Sequence, residues 1–168
     1  MTIPSSQLLN DREQWANDWA GTLQPVLYQN AQLHQFPDPV TNVRIRGSWD
    51  FAKFKIPLKD GDTIAGRSQH GVEILIEGQV RSQAGETKLS QSEMLAELEA
   101  LRTVLDASSS QGTYSLFLFH DTTTPFYRKF KSCSTVRFEF DITNNTLFSY
   151  STFIHSEDPT IYTTAPGL

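Results

Sequence analysis

The sequence has a single cysteine, Cys133, among its 168 residues. An internal disulfide is therefore excluded, because a bridge needs two thiols. Cys133 stands between two serines in a stretch that is typical of a strand. A small thiol in such a stretch packs like an apolar side chain, so we expect a buried free cysteine.

Long apolar runs and an excess of positive charge are also lacking. No run approaches the ~20 residues that a membrane helix needs. The first residues, Met1 to Ser6, lack the basic and apolar segments of a signal peptide, so we expect assembly in a cytoplasm. The 14 Lys and Arg residues are outnumbered by 19 Asp and Glu, for a net charge of -5. This balance argues against a protein that binds nucleic acid through its phosphates.

Sequence signatures of catalysis and of cofactor binding are absent. The segment 61–67 has two glycines but lacks the Gly-Lys-Ser/Thr ending of a phosphate-binding loop. No Gly-x-Ser-x-Gly motif is present, and nothing marks Cys133 as an activated nucleophile. The histidines have no partners at metal-ligand spacing on one element. They are His34, His70, His120 and His155. The sequence therefore predicts no enzyme, no cofactor and no metal site.

The first 42 residues differ from the rest and are predicted to form an arm with a short helix over 10–20. Trp15 and Trp19 are four residues apart, which places them on one face of that helix. Three prolines between residues 25 and 39 then interrupt any regular element. Two tryptophans on a short helix need cover, which either the same chain or a neighbouring subunit supplies. We take Trp15 and Trp19 as candidate subunit contacts.

Residues 43–168 are predicted to form one β-rich domain, since 11 Phe, 5 Tyr and 3 Trp favour strands. A first strand around Trp49 to Phe54 precedes a turn at 59–62. The next strand, 72–80, carries its apolar side chains on one face and Glu73 and Glu77 on the other. Gly78 falls on the apolar face, which indicates a bulge or a close backbone contact.

A single strong helix is predicted from about Gln91 to Asp106. Ser90 and Glu93 have the spacing of a capping box, in which each side chain binds the backbone amide of the other residue. An apolar stripe follows at a period near 3.6 residues. Its members are Leu95, Leu98, Leu101 and Leu105, with Met94 and Val104 beside them. A serine-rich loop is predicted to end the helix before Gly112.

The last third of the chain is nearly all strand in pattern. An apolar run at 114–119 precedes an alternating strand and a hairpin turn at Asn144-Asn145. On the alternating strand, Val136, Phe138, Phe140 and Ile142 face one way and Arg137, Glu139 and Asp141 the other. The order of elements predicts a mainly β, α+β fold: a β-sandwich or barrel with one packed α-helix and an N-terminal arm.

The residues from Arg67 to Tyr162 resemble a known family. The strand ends in Gly-x-Val, and the helix reads Ser-x-x-Glu-Met-Leu-x-x-Leu-x-x-Leu. Strands with Tyr114-Ser-Leu-Phe-Leu and Tyr127-Arg-Lys-Phe follow, and Asp158-Pro159 precedes the aromatic Tyr162. This order is similar to that of the ring-forming domain of the distal tail proteins of long-tailed bacteriophages. Many members carry a second, carbohydrate-binding-like domain, for which we expect this chain to be too short.

The resemblance implies a fold related to tail-tube proteins and assembly as a homo-hexameric ring in the virion. Such a ring joins the tail-tube protein to the tail-tip hub protein and leaves a channel through which DNA passes without specific binding. Glu73 and Glu77 are then candidates to face the channel, because a basic lumen would hold phosphates. Two alternatives remain: a tail-tube subunit, or a free-standing β-sandwich that binds carbohydrate through aromatics such as Trp49 or Tyr127.

Overall fold

The computed structural model describes residues 2–3, 25–37, 39–58, 60–84, 87–110, 112–119 and 128–164. Ten strands and one helix lie in these ranges. The strands are β1 (Thr2–Ile3), β2 (Val26–Gln29), β3 (Gln32–Gln35), β4 (Val40–Lys55), β5 (Asp62–Arg81), β6 (Gln83–Ala84), β7 (Thr87–Lys88), β8 (Tyr114–Phe119), β9 (Arg128–Asn144) and β10 (Leu147–Ser156), and the helix is α1 (Gln91–Ser110). The mainly β fold class with one packed helix is therefore confirmed.

Eight strands form one antiparallel sheet in the order β1-β3-β2-β8-β9-β10-β5-β4, and β6 pairs separately with β7. Strand β3 is second in this order and β4 is eighth. Six strand spacings would separate them by about 29 Å in a flat sheet. The chain from Gln35 to Val40 spans at most about 18 Å. The sheet must therefore curl until its ends approach, which closes it around a core as in a sandwich or barrel.

The end of the predicted N-terminal arm, residues 25–42, is part of this domain. Pro25 and Pro37 flank a hairpin of β2 and β3, whose turn residues Asn30 and Ala31 adopt φ of 51° and 60°. Leu27 and Phe36 are buried in the main core. The predicted boundary at residue 43 is thus misplaced, because the prolines bracket two strands instead of preventing them. The predicted helix over 10–20, with Trp15 and Trp19, lies outside the described residues.

Strand β5 follows the predicted alternation. Its even-numbered residues from Val72 to Val80 are buried, and the odd-numbered ones face away. Gly78 lies opposite Tyr150 of β10, and a Cβ at Gly78 would collide with the Tyr150 ring. Of the two alternatives predicted for this glycine, a bulge or a close backbone contact, the structure therefore shows a close contact, made by the Tyr150 ring.

Helix α1 begins with the predicted capping box. The Ser90 amide donates to the Glu93 carboxylate at 2.7 Å, and the Glu93 amide donates to the Ser90 hydroxyl at 3.3 Å. The helix continues four residues past Asp106, to Ser110, so the predicted serine-rich loop is its last turn. Its buried residues are Met94, Leu98, Leu101 and Leu105, with Leu95 and Val104 partly buried. This stripe packs on β9, β5 and β10.

The alternation of β9 is present but its apolar face is only half covered. Phe138 and Phe140 pack against the core, whereas Val136 is 69% exposed and Ile142 50% exposed. The hairpin turn forms after Asn144, but neither Asn144 nor Asn145 adopts the left-handed conformation. Instead, the Asn144 side-chain oxygen accepts from the Thr146 amide at 3.0 Å, as in an Asx turn.

The last described residues fold back on β9 where it extends past the end of β10. Tyr162 and Lys129 exchange backbone hydrogen bonds of 2.9 and 3.0 Å. The Tyr162 hydroxyl donates to the Asp158 carboxylate at 2.6 Å, and the Lys131 ammonium lies 4.2 Å from the centre of the Tyr162 ring. We call residues 158–162 the C-terminal clasp.

Candidate assembly surfaces

Strands β4 and β5 continue past the core as an exposed hairpin, which we call the β4–β5 arm, or simply the arm (residues 44–70). Its base, Arg44 to Gly47, still pairs with the core segment 72–75 of β5. Every described residue from Arg44 to Leu58 is exposed, and so are all those from Ile64 to His70. Strand β4 pairs with β5 through Lys55 and Asp62, so the hairpin stays paired to its tip. Gly61 turns the chain there with φ of 94°, as the sequence predicted. An isolated two-stranded hairpin is at best marginally stable in water.

The arm exposes several large apolar side chains to solvent. Trp49 is 48% exposed, Phe54 50%, Ile64 60% and Leu58 fully exposed. Ile45, Phe51 and Ile56 are exposed as well. So many large apolar side chains exposed on one element indicate a surface that another molecule covers.

One face of the arm combines aromatic rings with cations. Trp49, Phe51, Lys53 and Lys55 alternate along β4 and therefore share this face. The Arg67 guanidinium lies 5.1 Å from the centre of the Trp49 ring, and the Lys53 ammonium lies 4.9 Å from that of Phe51. Contacts of this length are cation–π interactions. We call this set, Trp49, Phe51, Lys53, Lys55 and Arg67, the aromatic–cationic face.

The outer edge of β4 is a second open surface. In the described part of the chain β4 pairs only with β5, which leaves the other row of its backbone groups unpaired along 16 residues. A long edge of this kind invites pairing with another chain unless it is covered. The other end of the sheet is only the two-residue strand β1.

The face of the sheet turned away from helix α1 carries charges of both signs, and we call it the outer sheet face. Glu73 lies between Arg46 of β4 and His155 of β10 in the strand register. Glu77 lies between Asn42 and Ser151, and Ser151 in turn pairs with Glu139 of β9. The structure thus brings both predicted lumen residues to one face.

Arginines interrupt this acidic face, an arrangement that the sequence pattern did not predict. Arg44, Leu75, Phe153 and Arg137 form one row across four strands. The Arg137 guanidinium stacks 4.2 Å from the centre of the Phe153 ring. Only the strand register shows that these residues are neighbours, since they are far apart along the chain.

A shallow groove of about 470 Å³ lies at the acidic end of the same face. Glu77, Glu139 and Asp141 line it, and each carboxylate has a partner. The Glu77 carboxylate accepts a hydrogen bond from the side-chain amide of Asn42 at 2.6 Å. The Glu139 carboxylate lies 3.3 Å from the Arg137 guanidinium. Hydrogen bonds from the Thr143 hydroxyl and amide lower the pKa of Asp141. Three carboxylates therefore line one groove on this face.

The described histidines and the cysteine are dispersed over the fold. The His70 ring lies 3.8 Å from the Asp50 carboxylate on the exposed arm, and His155 lies on the outer sheet face. Cys133 is buried, and burial raises the pKa of its thiol to about 12. Within the described ranges no three His, Cys, Asp or Glu side chains are grouped to hold a metal ion. Like Trp15 and Trp19, His120 and Tyr127 lie outside the described residues.

The fold is shared with proteins of phage tails and related particles. SPP1 Dit, a paradigm of the hub adsorption apparatus in phages that infect Gram-positive bacteria, is 16% identical with a TM-score of 0.59. The match covers 85% of this chain and 53% of SPP1 Dit, so this chain spans about half the length of that protein. The resemblance predicted from the sequence is therefore confirmed for the fold.

Two further similar structures come from gene transfer agent particles. A chain from the tail of an empty particle with C6 symmetry is 11% identical with a TM-score of 0.56, over 85% of this chain and 96% of that one. A chain from the native virion is 10% identical with a TM-score of 0.50, over 85% and 95%. No family model and no curated protein matches the sequence. No helix in the described ranges is long and apolar enough to cross a membrane.

Proposed function

We propose that this chain is a structural virion protein: a ring subunit at the distal end of a phage tail tube. The ring joins the tail-tube protein to the tail-tip hub protein and leaves a channel for DNA. The observation that carries the proposal is the arm, a paired hairpin that projects from the fold of tail proteins with seven large apolar side chains exposed. In a monomer these apolar side chains stay exposed to water, whereas in an assembly each subunit buries them against its neighbour.

The open edge of β4 supports the same proposal. A closed ring covers an edge of every subunit with its neighbour and leaves none available for uncontrolled pairing. Six copies of 19.0 kDa give a ring of about 114 kDa. Trp15 and Trp19 remain candidate contacts between these copies.

The outer sheet face is the surface that we assign to the channel. Its carboxylates, with Glu73 and Glu77 among them, repel phosphates and so favour free passage of DNA. Its arginines make this a mixed surface and not a uniformly acidic one. A carboxylate-lined groove beside cations keeps contacts with DNA weak and free of sequence preference.

A tail-tube subunit is the second candidate, and the likeness to a chain from a C6-symmetric particle tail favours it. Images of the assembled tail with labelled copies of this chain decide between the two. One layer of six copies at the distal end supports the ring proposal, whereas many stacked layers along the shaft would make the chain the tube protein. A location in a fibre or a capsid would contradict both.

A further inference from the structure

The outer edge of β4 lacks the features that usually keep an exposed strand from pairing. Proline, lysine and a β-bulge are such features, and the stretch 44–52 of β4 contains neither proline nor lysine. The irregularities of the arm lie in β5 instead. From Gly47 to Trp49 β4 advances by two residues, whereas β5 advances by three, from Val72 to Gln69. Strand β4 therefore keeps a regular backbone along its open edge.

This stretch is exposed as well as unpaired on one side. Every residue from 44 to 52 is exposed, and in the described part of the chain β4 pairs only with β5. Ile45, Trp49 and Phe51 alternate along β4 and place apolar surface on one of its faces. A regular, exposed edge with apolar side chains favours the addition of a further strand.

A second copy of the same strand is complementary to this edge in charge. In an antiparallel pair about a two-fold axis, each contact occurs twice. When Ser48 lies opposite Ser48 of the second copy, Arg46 lies opposite Asp50 of that copy and Asp50 lies opposite its Arg46. Opposite charges that face each other across two strands stabilise the pairing.

The same register matches the apolar face of the strand. Ile45 lies opposite Phe51 of the second copy, and Gly47 lies opposite its Trp49. A glycine in an edge strand leaves a gap that an aromatic ring on the next strand fills. The surroundings of Gly47 leave room for this ring, because a Cβ at Gly47 would meet its nearest neighbour at 3.6 Å.

The neighbouring symmetric registers match less well. A register centred on Arg46 or on Asp50 would place two like charges opposite each other, which destabilises a strand pair. A register centred on Gly47 brings Arg44 opposite Asp50, but it leaves two glycines facing each other at the axis. The side chains therefore favour the register centred on Ser48.

The two charged residues keep their contacts within each subunit in this arrangement. Arg46 lies opposite Glu73 of β5, and the Asp50 carboxylate lies 3.8 Å from the His70 ring. Pairing places Asp50 of the second copy on the other side of Arg46. Charges then alternate across three neighbouring strands, so the contact between copies adds to the internal one.

We infer that two free copies of this chain pair through their β4 edges, antiparallel over residues 44–52, with Ser48 at the two-fold axis. Neighbours in a six-membered ring are not related by a two-fold axis. The pair is therefore a state of the free chain, which covers the β4 edge until ring contacts replace it. The pairing itself does not depend on the proposed function.

Thiol cross-linking of the full chain before assembly tests the register. Ser48→Cys places two thiols at the axis, where opposite side chains lie about 5 Å apart. We expect a short bis-maleimide to link this variant into a dimer of about 38 kDa, twice 19.0 kDa. Ala52→Cys is the matched control on the same face, because its two copies lie about 27 Å apart in the pair. Native Cys133 is buried and stays unlinked.

A mixture of Ala52→Cys with Arg44→Cys should give a linked dimer again, because these two positions lie opposite each other in the register. Absence of a dimer from Ser48→Cys, or equal yields from Ser48→Cys and Ala52→Cys, would overturn the inference.

Charge reversal tests the chemistry of the contact by sedimentation of the full chain. Arg46→Asp and Asp50→Arg each place like charges opposite each other, and we expect each to weaken self-association by about tenfold or more. A mixture of the two variants restores opposite charges at both sites and should form a dimer again. Circular dichroism establishes that each variant is folded. Failure of the folded mixture to associate contradicts the pairing.

The outcomes keep this inference apart from the proposed function. Rings from a chain whose free form gives no Ser48→Cys dimer would refute the pairing and leave the ring proposal standing. A paired free chain that images locate in a fibre or a capsid would retain the pairing and refute the ring proposal.

Discussion

The ring of Tyr150 lies over Gly78 of the neighbouring strand, and its hydroxyl donates to the Pro37 carbonyl oxygen at 2.7 Å. This relationship ties three parts of the fold together: β10, β5 and the crossing between β3 and β4. Phe36 stacks on the same ring with centroids 6.4 Å apart. The absence of a side chain at Gly78 is what lets the crossing segment sit so close to the sheet.

Gly78→Ala is expected to destabilise the protein, because the added methyl group meets a buried ring whose hydroxyl is held. Overpacking of this kind costs about 1–3 kcal/mol, which urea denaturation measures. Gly47→Ala is the matched control: its Cβ would meet only ordinary contacts, the nearest at 3.6 Å. A loss of stability for Gly47→Ala that equals the loss for Gly78→Ala would refute the steric explanation.

Leu98→Ala tests the packing of helix α1. Leu98 is fully buried, and removal of a buried leucine side chain costs about 2–5 kcal/mol. Ser90→Ala removes only the cap and is expected to cost about 1 kcal/mol. Denaturant titrations at low protein concentration compare them with exposed Glu97→Ala, for which we expect a change within about 0.5 kcal/mol. A Leu98→Ala protein as stable as wild type would show that the stripe is not packed.

Cys133 is expected to be inert in the folded protein at neutral pH. Burial raises the pKa of its thiol to about 12, so the reactive thiolate is scarce. A chromogenic disulfide reagent should label one thiol after unfolding and almost none before. Rapid labelling of the native protein would disprove the burial.

The same thiol contributes to the pH dependence of stability. Its folded pKa is raised above the ordinary value of 9.0, so its contribution is fully present below pH 9 and lost as the pH rises toward 12. We expect the free energy of unfolding of wild type, relative to Cys133→Ala, to fall across this window. A constant difference between the two proteins would contradict the linkage.

The C-terminal clasp is expected to loosen in acid. Hydrogen bonds from the Tyr162 hydroxyl and from Thr160 hold the pKa of Asp158 below its ordinary value of 3.8. When the pKa of a carboxyl group is lower in the folded state than in the unfolded state, the group stabilises the fold at pH values above the unfolded-state pKa. This contribution is lost as the pH falls through the folded-state pKa.

The stability difference between wild type and Asp158→Asn should therefore be largest at neutral pH and shrink below about pH 4. Tyr162→Phe, which removes the donor but keeps the carboxylate, should reduce the same pH dependence. Denaturant titrations at several pH values provide the measurement. An unchanged pH profile in both variants would exclude the clasp as its source.

His70, His120, His155 and Cys133 are predicted to have no catalytic role, because the sequence pattern around them lacks the arrangement of nucleophile, base and orienting group that such chemistry needs. Replacement of each by Ala should leave tail assembly and infectivity near wild type where the variant folds. A folded and assembled variant that fails at a chemical step would overturn this prediction.

Local patterns were sufficient to predict helix α1 and the segment 72–80 of strand β5, and they left a bulge or a close backbone contact as the alternatives at Gly78. The capping box of Ser90 and Glu93 acts between neighbours in sequence, and the alternation from Val72 to Val80 follows from the period of a strand. Proline was a weaker guide. Pro25 and Pro37 suggested an irregular N-terminal arm, but they lie at the two ends of the hairpin of β2 and β3. Both strands can form between them because a proline at a strand end removes no ladder hydrogen bond.

Residue types and near neighbours were enough to predict a β-rich chain with one capped helix, one thiol and an acidic balance, since these properties do not depend on distant contacts. Only the folded chain shows that residues 44–70 form an exposed arm and that Arg44, at its base, shares a row with Leu75, Phe153 and Arg137. It also shows that Val136 is exposed although it alternates with the partly buried Phe138 and Phe140. The alternation of residues predicts which side chains share a face of a strand. Whether that face is buried depends on what packs against it, and the packing comes from contacts between residues far apart in the chain.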